Sequence, residues 1–250
     1  MSRGLFTLTS GMLTQQYKVN IYSNNLANMN TAGYKREQPV TSTFGELYLS
    51  RLRQDGIVEN AVGIGPTNLI RITEDNNTIH SQGVFDETNG AFDFAIVGAG
   101  FFAVDNGNNT LYTRNGSFML DQEGYLIFSN KGRVQGENGD IYIGTDKYTF
   151  TEDGNIYVDG EQIDRLLIYD FDDYNNIDKA DEGMYTANVQ ANIVENPTIL
   201  KGSIERSNVD LTEEMTQIMA SQRALQNNGQ ALKIYDLVMD MASNQIGKVQ

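Results

Sequence analysis

Apolar residues recur every three or four positions near the start of the chain, which is the pattern of a helix with one buried face. Gln15 is the one polar member of this stripe. Ser2 is a candidate N-cap, and Asn28, Asn30 and Gly33 favour an end near residue 30. The pattern predicts one N-terminal helix of about 28 residues, roughly 42 Å long at 1.5 Å per residue. Its stripe consists of Leu5, Leu8, Met12, Val19, Tyr22, Leu26 and Met29.

The end of the chain repeats this spacing and predicts a second long amphipathic helix. Its start is marked twice, since Ser207 precedes Asp210 by three residues and Asp210 precedes Glu213 by three. Both arrangements can satisfy free N–H groups at a helix start. Residues 227–229 read Asn-Asn-Gly and mark either a bend or a weak turn. The stripe consists of Leu211, Met215, Ile218, Gln222, Leu225, Leu232, Tyr235, Met239, Ala242 and Ile246.

Between the two predicted helices, short runs of aromatic and β-branched residues alternate with turn dipeptides. The runs include residues 92–97, 101–104, 125–128 and 166–169. Glycine accepts the positive φ that tight hairpin turns require, so this pattern predicts an all-β region. The turn dipeptides are Asn106-Gly107, Asn115-Gly116, Glu123-Gly124, Lys131-Gly132, Asn138-Gly139, Asp153-Gly154 and Asp159-Gly160.

The resulting fold class is α+β, with long N- and C-terminal helices and a central all-β domain. We predict a discontinuous helical domain of residues 1–33 and 208–250, and a β-rich domain of residues 76–207. Residues 34–75 fit neither pattern and are interpreted as an extended connector. Two amphipathic helices without a local core must pack on each other or on other subunits.

The charge of the chain belongs to its middle. The 250 residues carry 33 acidic and 18 basic side chains, a net charge of −15. Residues 61–205 hold 24 acidic and 8 basic side chains, whereas the flanking segments are close to neutral. Because phosphate binding needs clustered Lys and Arg, nucleic acid is not expected as a partner. With no cysteine and a single histidine, disulfide scaffolds, thiol nucleophiles and imidazole-based metal sites are excluded.

Two motifs imitate cofactor or metal sites. Residues 98–103 have the G-x-G-x-x-A spacing of a dinucleotide fingerprint, but the turn at residues 105–107 leaves no room for the helix that this motif needs. We therefore predict a hairpin. The acidic residues at 170–182 lack the glycine and glutamate of an EF-hand loop, since Asn175 and Asp181 stand there. A solvated acidic loop is the better interpretation.

Candidate catalytic residues are also missing. His80 lies in a polar stretch, and a loop or surface histidine is a better interpretation than a general base. Acid pairs for hydrolysis stay open, but nothing selects a pair. We predict no enzyme activity and no catalytic, cofactor-binding or metal-binding residue. No stretch approaches the roughly 20 apolar residues that cross a bilayer, and no cleaved secretory signal is expected at the N-terminus.

The segment after the first helix stripe carries the most specific signal. Asparagine readily bonds to nearby backbone, so the four asparagines between residues 24 and 30 indicate a specified helix exit. A purely structural interpretation is a capping run with Gly33 in the left-handed conformation. The run 24–36, Asn-Asn-Leu-Ala-Asn-Met-Asn-Thr-Ala-Gly-Tyr-Lys-Arg, also resembles the N-terminal signature of the flagellar basal-body rod and hook proteins.

The resemblance extends along nearly the whole chain. Residues 94–102 and 112–126 are similar to the β domain of that family, apart from Val97 and Ala99, where more polar residues are expected. Residues 207–224 are similar to its C-terminal motif. Length and a single β region look most like rod members of the FlgF and FlgG type rather than the longer hook protein. The family motif here comprises Asn24, Asn25, Leu26, Ala27, Asn28, Asn30, Thr31, Gly33, Tyr34 and Lys35.

The resemblance implies a structural subunit of the flagellar rod. The two terminal helices would pair as a coiled-coil-like domain, the β domain would face outward, and subunits would polymerise into the drive shaft that transmits torque across the cell envelope. It implies export through the flagellar export apparatus without a cleaved signal peptide, self-assembly with rod and hook subunits, and no cofactor. The expected assembly interface is Leu5, Leu8, Met12, Val19, Leu26, Ile218, Leu225, Leu232 and Met239.

Two alternatives remain open from the sequence. One is a hook-type axial protein. The other, from a different class, is a secreted carbohydrate-binding β module with a helical oligomerisation handle. The chain has no tryptophan, and its tyrosines and phenylalanines lie mostly in strand-like runs where a core role is expected.

Overall fold

The structure is a computed structural model and describes residues 2–43, 47–51, 62–67, 71–129, 131–145, 147–180 and 183–245. The chain forms two compact units. Unit 1 contains residues 1–27, 37–79 and 210–250, and unit 2 contains residues 28–36 and 80–209. The α+β class predicted from the sequence is confirmed, since helices lie at both ends and the middle is rich in strands.

Unit 1 contains the two helices, α1 (Ser2–Ala27) and α2 (Leu211–Gln245). α1 ends three residues earlier than predicted, and α2 continues through Gly229 without a break. The predicted cap of α2 is confirmed at Asp210, whose Oδ1 accepts hydrogen bonds from the backbone N–H of Thr212 at 2.8 Å and Glu213 at 3.1 Å. This satisfies two of the N–H groups that have no partner within the helix.

The described residues of unit 1 also form four strands: β1 (Glu37–Thr43), β2 (Leu47–Arg51), β3 (Val62–Thr67) and β4 (Arg71–Thr78). β1 pairs with β4 in antiparallel register, with an irregularity between Val40 and Thr41, and β2 pairs with β3. The described part of the segment predicted as a connector is therefore extended, but much of it is paired in two antiparallel ladders. Residues 44–46, 52–61 and 68–70 of the predicted connector lie outside the described residues.

Unit 2 is built from antiparallel pairs. A ten-stranded sheet follows the order β17-β18-β8-β7-β11-β10-β9. In addition, β12 pairs with β11, β16 pairs with β7, and β19 pairs with β16. β13, β14 and β15 form a three-stranded sheet, and β6 pairs with β20 as β5 does with β21. The strands are β5 (Phe85–Glu87), β6 (Phe94–Val97), β7 (Phe101–Asp105), β8 (Thr110–Thr113), β9 (Met119–Leu120), β10 (Leu126–Phe128), β11 (Gly132–Gly136), β12 (Gly139–Asp140), β13 (Thr149–Phe150), β14 (Asn155–Val158), β15 (Glu161–Arg165), β16 (Ile168–Asp170), β17 (Ile177–Lys179), β18 (Met184–Ala187), β19 (Asn192–Ile193), β20 (Thr198–Lys201) and β21 (Ser203–Glu205).

The core of unit 2 follows from the alternation of side chains along β7. Phe102 and Val104 point into the main apolar cluster, which also contains Phe94, Leu126 and Ile168. Phe101 points to the opposite face, where it packs in a smaller aromatic cluster. Side chains alternate between the faces of a strand, so one continuous apolar run supplies two cores. The smaller cluster contains Phe101, Phe171, Ile177 and Tyr185.

The grouping of residues differs from the predicted domains at two places. Residues 28–36 belong to the β unit rather than to the helical domain, and residues 37–79 belong to the unit that contains the helices. The chain therefore passes four times from one unit to the other. The predicted domain boundaries stay a prediction.

Candidate assembly sites

The two helices of unit 1 pack antiparallel with a repeat of seven residues. A Cβ added at Gly4 would lie 3.2 Å from the ring of Tyr235, and one added at Gly11 would lie 3.2 Å from the side chain of Asn228. Gly11 follows Gly4 by seven residues on α1, and Asn228 precedes Tyr235 by seven residues on α2, so the helices run in opposite directions. Asn25 continues this register, because its Nδ2 donates a 3.2 Å hydrogen bond to Glu214, fourteen residues back from Asn228.

This register explains which face of each helix is covered. It places Thr14 of α1 at the level of Leu225 of α2, and Ile21 at the level of Ile218. Thr14 and Ile21 are 4% and 5% exposed. The inner face of α1 thus combines small and polar residues with Ile21. The inner face of α2 carries Ile218 and Leu225 of the apolar stripe together with the buried polar residues Glu214 and Ser221. A seven-residue repeat with a narrow inner face is typical of a coiled-coil-like pair.

Asn25 fixes the end of this helix pair. Its side chain is fully buried and accepts a 2.9 Å hydrogen bond from the Glu37 backbone N–H, while its Nδ2 donates to the Glu37 carbonyl at 2.8 Å. The same Nδ2 also donates to Glu214, which is 2% exposed. The amide therefore joins α1, β1 and α2 within unit 1. A buried polar group at an inner position specifies register, because a shifted register would leave it unpaired.

The nine residues predicted as an assembly interface are not equally accessible. Leu5 is 38% exposed, and the other eight are half-buried. Ile218, Leu225 and Leu232 lie on the face of α2 that the register turns toward α1. Leu8 is four residues after Gly4 and three before Gly11, so it lies on the same side of α1 as these glycines. Met12, Val19 and Leu26 are rotated from Gly11 and Asn25 by roughly 60° to 140° around the helix. Their role between subunits stays a prediction.

A second set of apolar side chains on the helices is largely exposed. On α1 these are Phe6 and Leu13, with Tyr17 beside them. On α2 they form two groups separated by residues 220–233, which we call the polar stretch because its exposed side chains are polar or alanine. We call them the first exposed cluster, consisting of Leu211, Met215 and Met219, and the second exposed cluster, consisting of Ile234, Leu237, Val238 and Met241. Contiguous apolar residues on a surface mark an interaction site.

The segment after α1 is built into unit 2. The Thr31 N–H and Oγ1 bond to the backbone and side-chain oxygens of Asn28, which forms a turn. Gly33 follows with φ of 69°, so its predicted left-handed conformation is confirmed, and its N–H donates to the Glu205 carbonyl at 2.7 Å. A Cβ added here would lie 2.3 Å from the Asn115 backbone nitrogen. Gly33 does not cap α1, which ends six residues earlier; only glycine fits between these backbones.

Lys35 is buried beside a carboxylate. It is 1% exposed, and its Nζ donates to Glu205 Oε1 at 2.5 Å and to the Ser81 carbonyl at 2.8 Å. Glu205, also 1% exposed, accepts from the Gly83 N–H at 2.8 Å and lies 3.4 Å from Arg114 Nη1. Burial lowers the pKa of Lys35, and the charge of Glu205 acts in the opposite direction. Such a cluster is stable only while every charge keeps its partner.

The chain segments that enter unit 2 meet at this cluster. The Arg36 N–H donates to Asn208 Oδ1 at 2.8 Å, and Asn208 Nδ2 donates to the Ser81 carbonyl at 3.1 Å. Residues near 35, 81 and 208 are thus held together by side-chain hydrogen bonds. We call Lys35, Arg114 and Glu205 the buried polar cluster; Ser81, which is exposed, contacts this cluster through its backbone carbonyl.

Sequence reasoning found only part of these sites. Of the family motif, Asn25, Gly33, Tyr34 and Lys35 are buried, whereas Asn24, Ala27 and Asn30 are exposed. Leu26, Asn28 and Thr31 are half-buried. Glu205 and Arg114 were not identified as partners of Lys35. The only sequence features that point to these partners are their positions: Glu205 lies two residues before the C-terminal motif, and Arg114 lies within the run 112–118.

His80 lies against the aromatic cluster rather than at an open surface. Its ring stacks on Tyr174 at 4.6 Å and contacts Phe101 edge-on at 5.9 Å. Nδ1 is buried and has no hydrogen-bond partner among the described residues. Burial, together with the positive charges of Lys35, Arg114 and Lys179, lowers the pKa of His80 to about 4. His80 therefore lies in a loop, as the sequence predicted, and is half-buried in this loop.

The neutral form of His80 is favoured in the fold, which predicts acid sensitivity of unit 2. Between pH 6.5 and 4 the unfolded chain binds the proton that the native state rejects, so stability is lost as pH falls through this window. We expect a loss of about 2 kcal/mol from this residue, after discounting for its partial exposure. Denaturant unfolding of the wild type and of His80→Phe, at pH 7 and 4.5, measures it. A pH dependence as steep in His80→Phe as in the wild type would contradict the assignment.

The two motifs that imitate ligand sites are accounted for by the structure. Residues 98–103 lead into β7, which pairs with β8 in a hairpin, so the dinucleotide interpretation is excluded. Among the described residues, no group of three acidic or histidine side chains is arranged to hold a metal ion. Asp173 instead caps a single 3-10 turn by accepting from the Asn175 N–H. Neither described helix combines the length and apolar character needed to span a membrane.

Three family models match consecutive parts of the chain. The model described as flagella basal body rod protein matches residues 5–35, which include α1 and the segment after it. The D1 domain of the flagellar hook protein FlgE/F/G matches residues 95–161. The C-terminal model of the flagellar basal body rod FlgEFG proteins matches residues 200–245.

Individual relatives are similar over the full length. The flagellar basal-body rod protein FlgG of Bacillus subtilis is 32% identical over 98% of this chain and 99% of its own length. The flagellar hook-basal body complex protein FlhO of the same organism is 25% identical over the whole of both chains. The flagellar hook protein FlgE of Borreliella burgdorferi is 32% identical, but over 54% of this chain and 31% of its own.

Proposed function

The chain belongs to the family of flagellar basal-body rod proteins, and we propose from this premise that it is a structural subunit of the bacterial flagellar rod. Subunits polymerise through their terminal helices into the tube that crosses the cell envelope and transmits motor torque. The protein is located in the flagellar basal body. Its role depends on packing between subunits and requires no catalytic step.

The observation that carries this proposal is the apolar surface of the helices. The first and second exposed clusters and Phe6 and Leu13 leave large apolar side chains uncovered in the single subunit. Burying one such side chain contributes about 1.5 to 3 kcal/mol. Residues 206–250 carry only 4 basic and 5 acidic side chains, so neighbouring copies meet little charge repulsion at α2.

We propose that the two apolar faces have different tasks. Ile218, Leu225 and Leu232 hold α2 against α1 within one subunit. Leu5, with the exposed clusters, contacts neighbouring subunits, and Leu8, Met12, Val19, Leu26 and Met239 contribute at the edges of both contacts. We propose that the exposed clusters of one subunit contact a different surface of the next subunit. Such a head-to-tail contact generates an open helical polymer when the subunits do not close into a ring.

We also propose the partners and the export route of the chain. It assembles with copies of itself and with other rod and hook subunits, does not bind nucleic acid, and does not span a membrane. The chain is exported by the flagellar export apparatus without cleavage of a signal peptide. It is not an enzyme and uses no cofactor or metal.

A hook-type axial protein is the less favoured alternative. The similarity to the Borreliella hook protein covers under a third of that protein, whereas the similarity to rod proteins covers nearly the full length of both chains. The secreted carbohydrate-binding module is supported by none of these similarities.

Polymerisation of the purified chain tests the proposed function. We expect filaments or short tubes on concentration, measured by sedimentation and electron microscopy. Leu237→Asp, which places a charge in the second exposed cluster, should reduce assembly roughly tenfold or more, the effect of losing about 1.4 kcal/mol per contact. Its helix content should be unchanged, because Leu237 is 59% exposed. Asn227→Asp, in the polar stretch, is the matched control. Failure of the purified wild type to form filaments or tubes would contradict the proposal.

A further inference from the structure

The sulfur atoms of this chain are all thioethers. It contains nine methionines and no cysteine, so any oxidation at sulfur falls on methionine. Met184 is 2% exposed, in the core of unit 2. Four methionines are instead largely exposed: Met119 at 52%, Met215 at 48%, Met219 at 49% and Met241 at 41%. An accessible thioether is oxidised more readily than a buried one.

Three of the four exposed methionines lie on one face of α2. Met215 and Met219 are four residues apart, which places them on adjacent turns, with Leu211 one turn before them. Met219 and Leu237 are separated by roughly five full turns at 3.6 residues per turn, so they point in the same direction. Met241 follows Leu237 by one turn. The first and second exposed clusters therefore each contain methionine.

Oxidation of these methionines makes the face more polar, while the carbon chain of each side chain is unchanged. The sulfur lone pair attacks one oxygen of a peroxide, the O–O bond breaks, and water leaves from hydrogen peroxide. The product sulfoxide is polar and chiral, and it disrupts methionine-rich contacts. A sulfoxide on an interface must be desolvated when a neighbour covers it, and this cost opposes assembly.

We propose that Met215, Met219 and Met241 form an oxidation-sensitive assembly surface. Peroxide converts them to sulfoxides in the free subunit, and the oxidised subunit is excluded from the polymer. In the polymer a second copy of the chain covers the same sulfur atoms and protects them. This inference rests on the proposed function, because it assigns the exposed clusters to contacts between copies.

The test begins with the full-length chain treated with hydrogen peroxide. Peptide mass spectrometry should locate one added oxygen on Met215, Met219 and Met241 before Met184. Sedimentation should then show at least roughly tenfold less polymer than for untreated protein, as for a loss of about 1.4 kcal/mol per contact. Chain treated after polymerisation should be oxidised more slowly at the three positions. Normal polymerisation by subunits that carry all three sulfoxides would overturn the proposal.

Matched variants separate this effect from general damage. Met215→Leu/Met219→Leu/Met241→Leu should form as much polymer after peroxide as the same variant forms untreated, whereas Met119→Leu should remain as sensitive to peroxide as the wild type. Equal loss of assembly by the triple variant would overturn the proposal. If that variant does not polymerise even untreated, the oxidised wild type is incubated with methionine sulfoxide reductases, which must restore assembly; no restoration overturns it. Failure of untreated wild type to polymerise contradicts the proposed function instead.

Discussion

Replacing Glu205 by alanine is expected to destabilise unit 2 by about 3 to 5 kcal/mol, because two buried cations then lose their shared carboxylate. Lys35 and Arg114 are 1% and 4% exposed, so water cannot replace the missing partner. The Gly83 N–H would also lose its acceptor. Denaturant unfolding of the full chain, followed by near-ultraviolet circular dichroism of the tyrosines in unit 2, measures the loss.

Two variants control for this result. Glu161→Ala removes a carboxylate from an exposed strand position and should change stability by no more than about 0.5 kcal/mol. Lys35→Met/Glu205→Gln removes both members of the short ion pair and should be more stable than Glu205→Ala, because one buried cation fewer is left unpaired. Equal stabilities for Glu205→Ala and Glu161→Ala would show that the cluster does not stabilise unit 2.

Leu225→Asp is expected to abolish polymerisation by separating the helices within one subunit. Leu225 is half-buried on the inner face of α2, at the level of Thr14. A carboxylate there loses the apolar contact and must be partly desolvated, which costs roughly 3 kcal/mol. Far-ultraviolet circular dichroism should show weaker helix signal, in contrast to Leu237→Asp, and sedimentation should detect no polymer.

Unit 2 should remain folded in Leu225→Asp, because its two apolar clusters contain no residue of α2. Gln226→Asp adds the same charge at the adjacent, exposed position and should retain both helix content and assembly. Normal polymer from Leu225→Asp would refute the place of Leu225 in the helix pair. Loss of tyrosine near-ultraviolet signal would instead show that the two units are not independently stable.

The elements of the fold were predictable because their signals are local. The spacing of Ile218, Leu225 and Leu232 identified α2, and Asp210 identified its cap. The turn at residues 105–107 favoured a hairpin over a nucleotide-binding motif as the interpretation of residues 98–103. Each of these inferences needs only a few neighbouring residues, because backbone hydrogen bonds in helices and hairpins connect positions that are close in sequence.

The packing face of α1 was not predictable in the same way. Its large apolar residues indicated one stripe, yet Gly4, Gly11 and Asn25 lie on the face that meets α2. A search for large apolar side chains overlooks a face that consists mainly of small and polar residues, with Ile21 as the one buried large apolar side chain among the described residues of α1. That face can be identified only together with α2, because it stabilises the pair through the close approach at Gly4 and Gly11 and through the hydrogen bond from Asn25 to Glu214.

By itself the sequence determined the α+β class, the two terminal helices, the cap of α2 and membership in a structural family, since each depends on local periodicity or on a contiguous motif. Only the tertiary structure decided that residues 28–36 belong to the β unit and that Lys35 meets Glu205, 170 positions away. It also decided which apolar residues stay exposed. The reason is physical: burial and ion pairing depend on which distant segments come together, and a single sequence records no such distances.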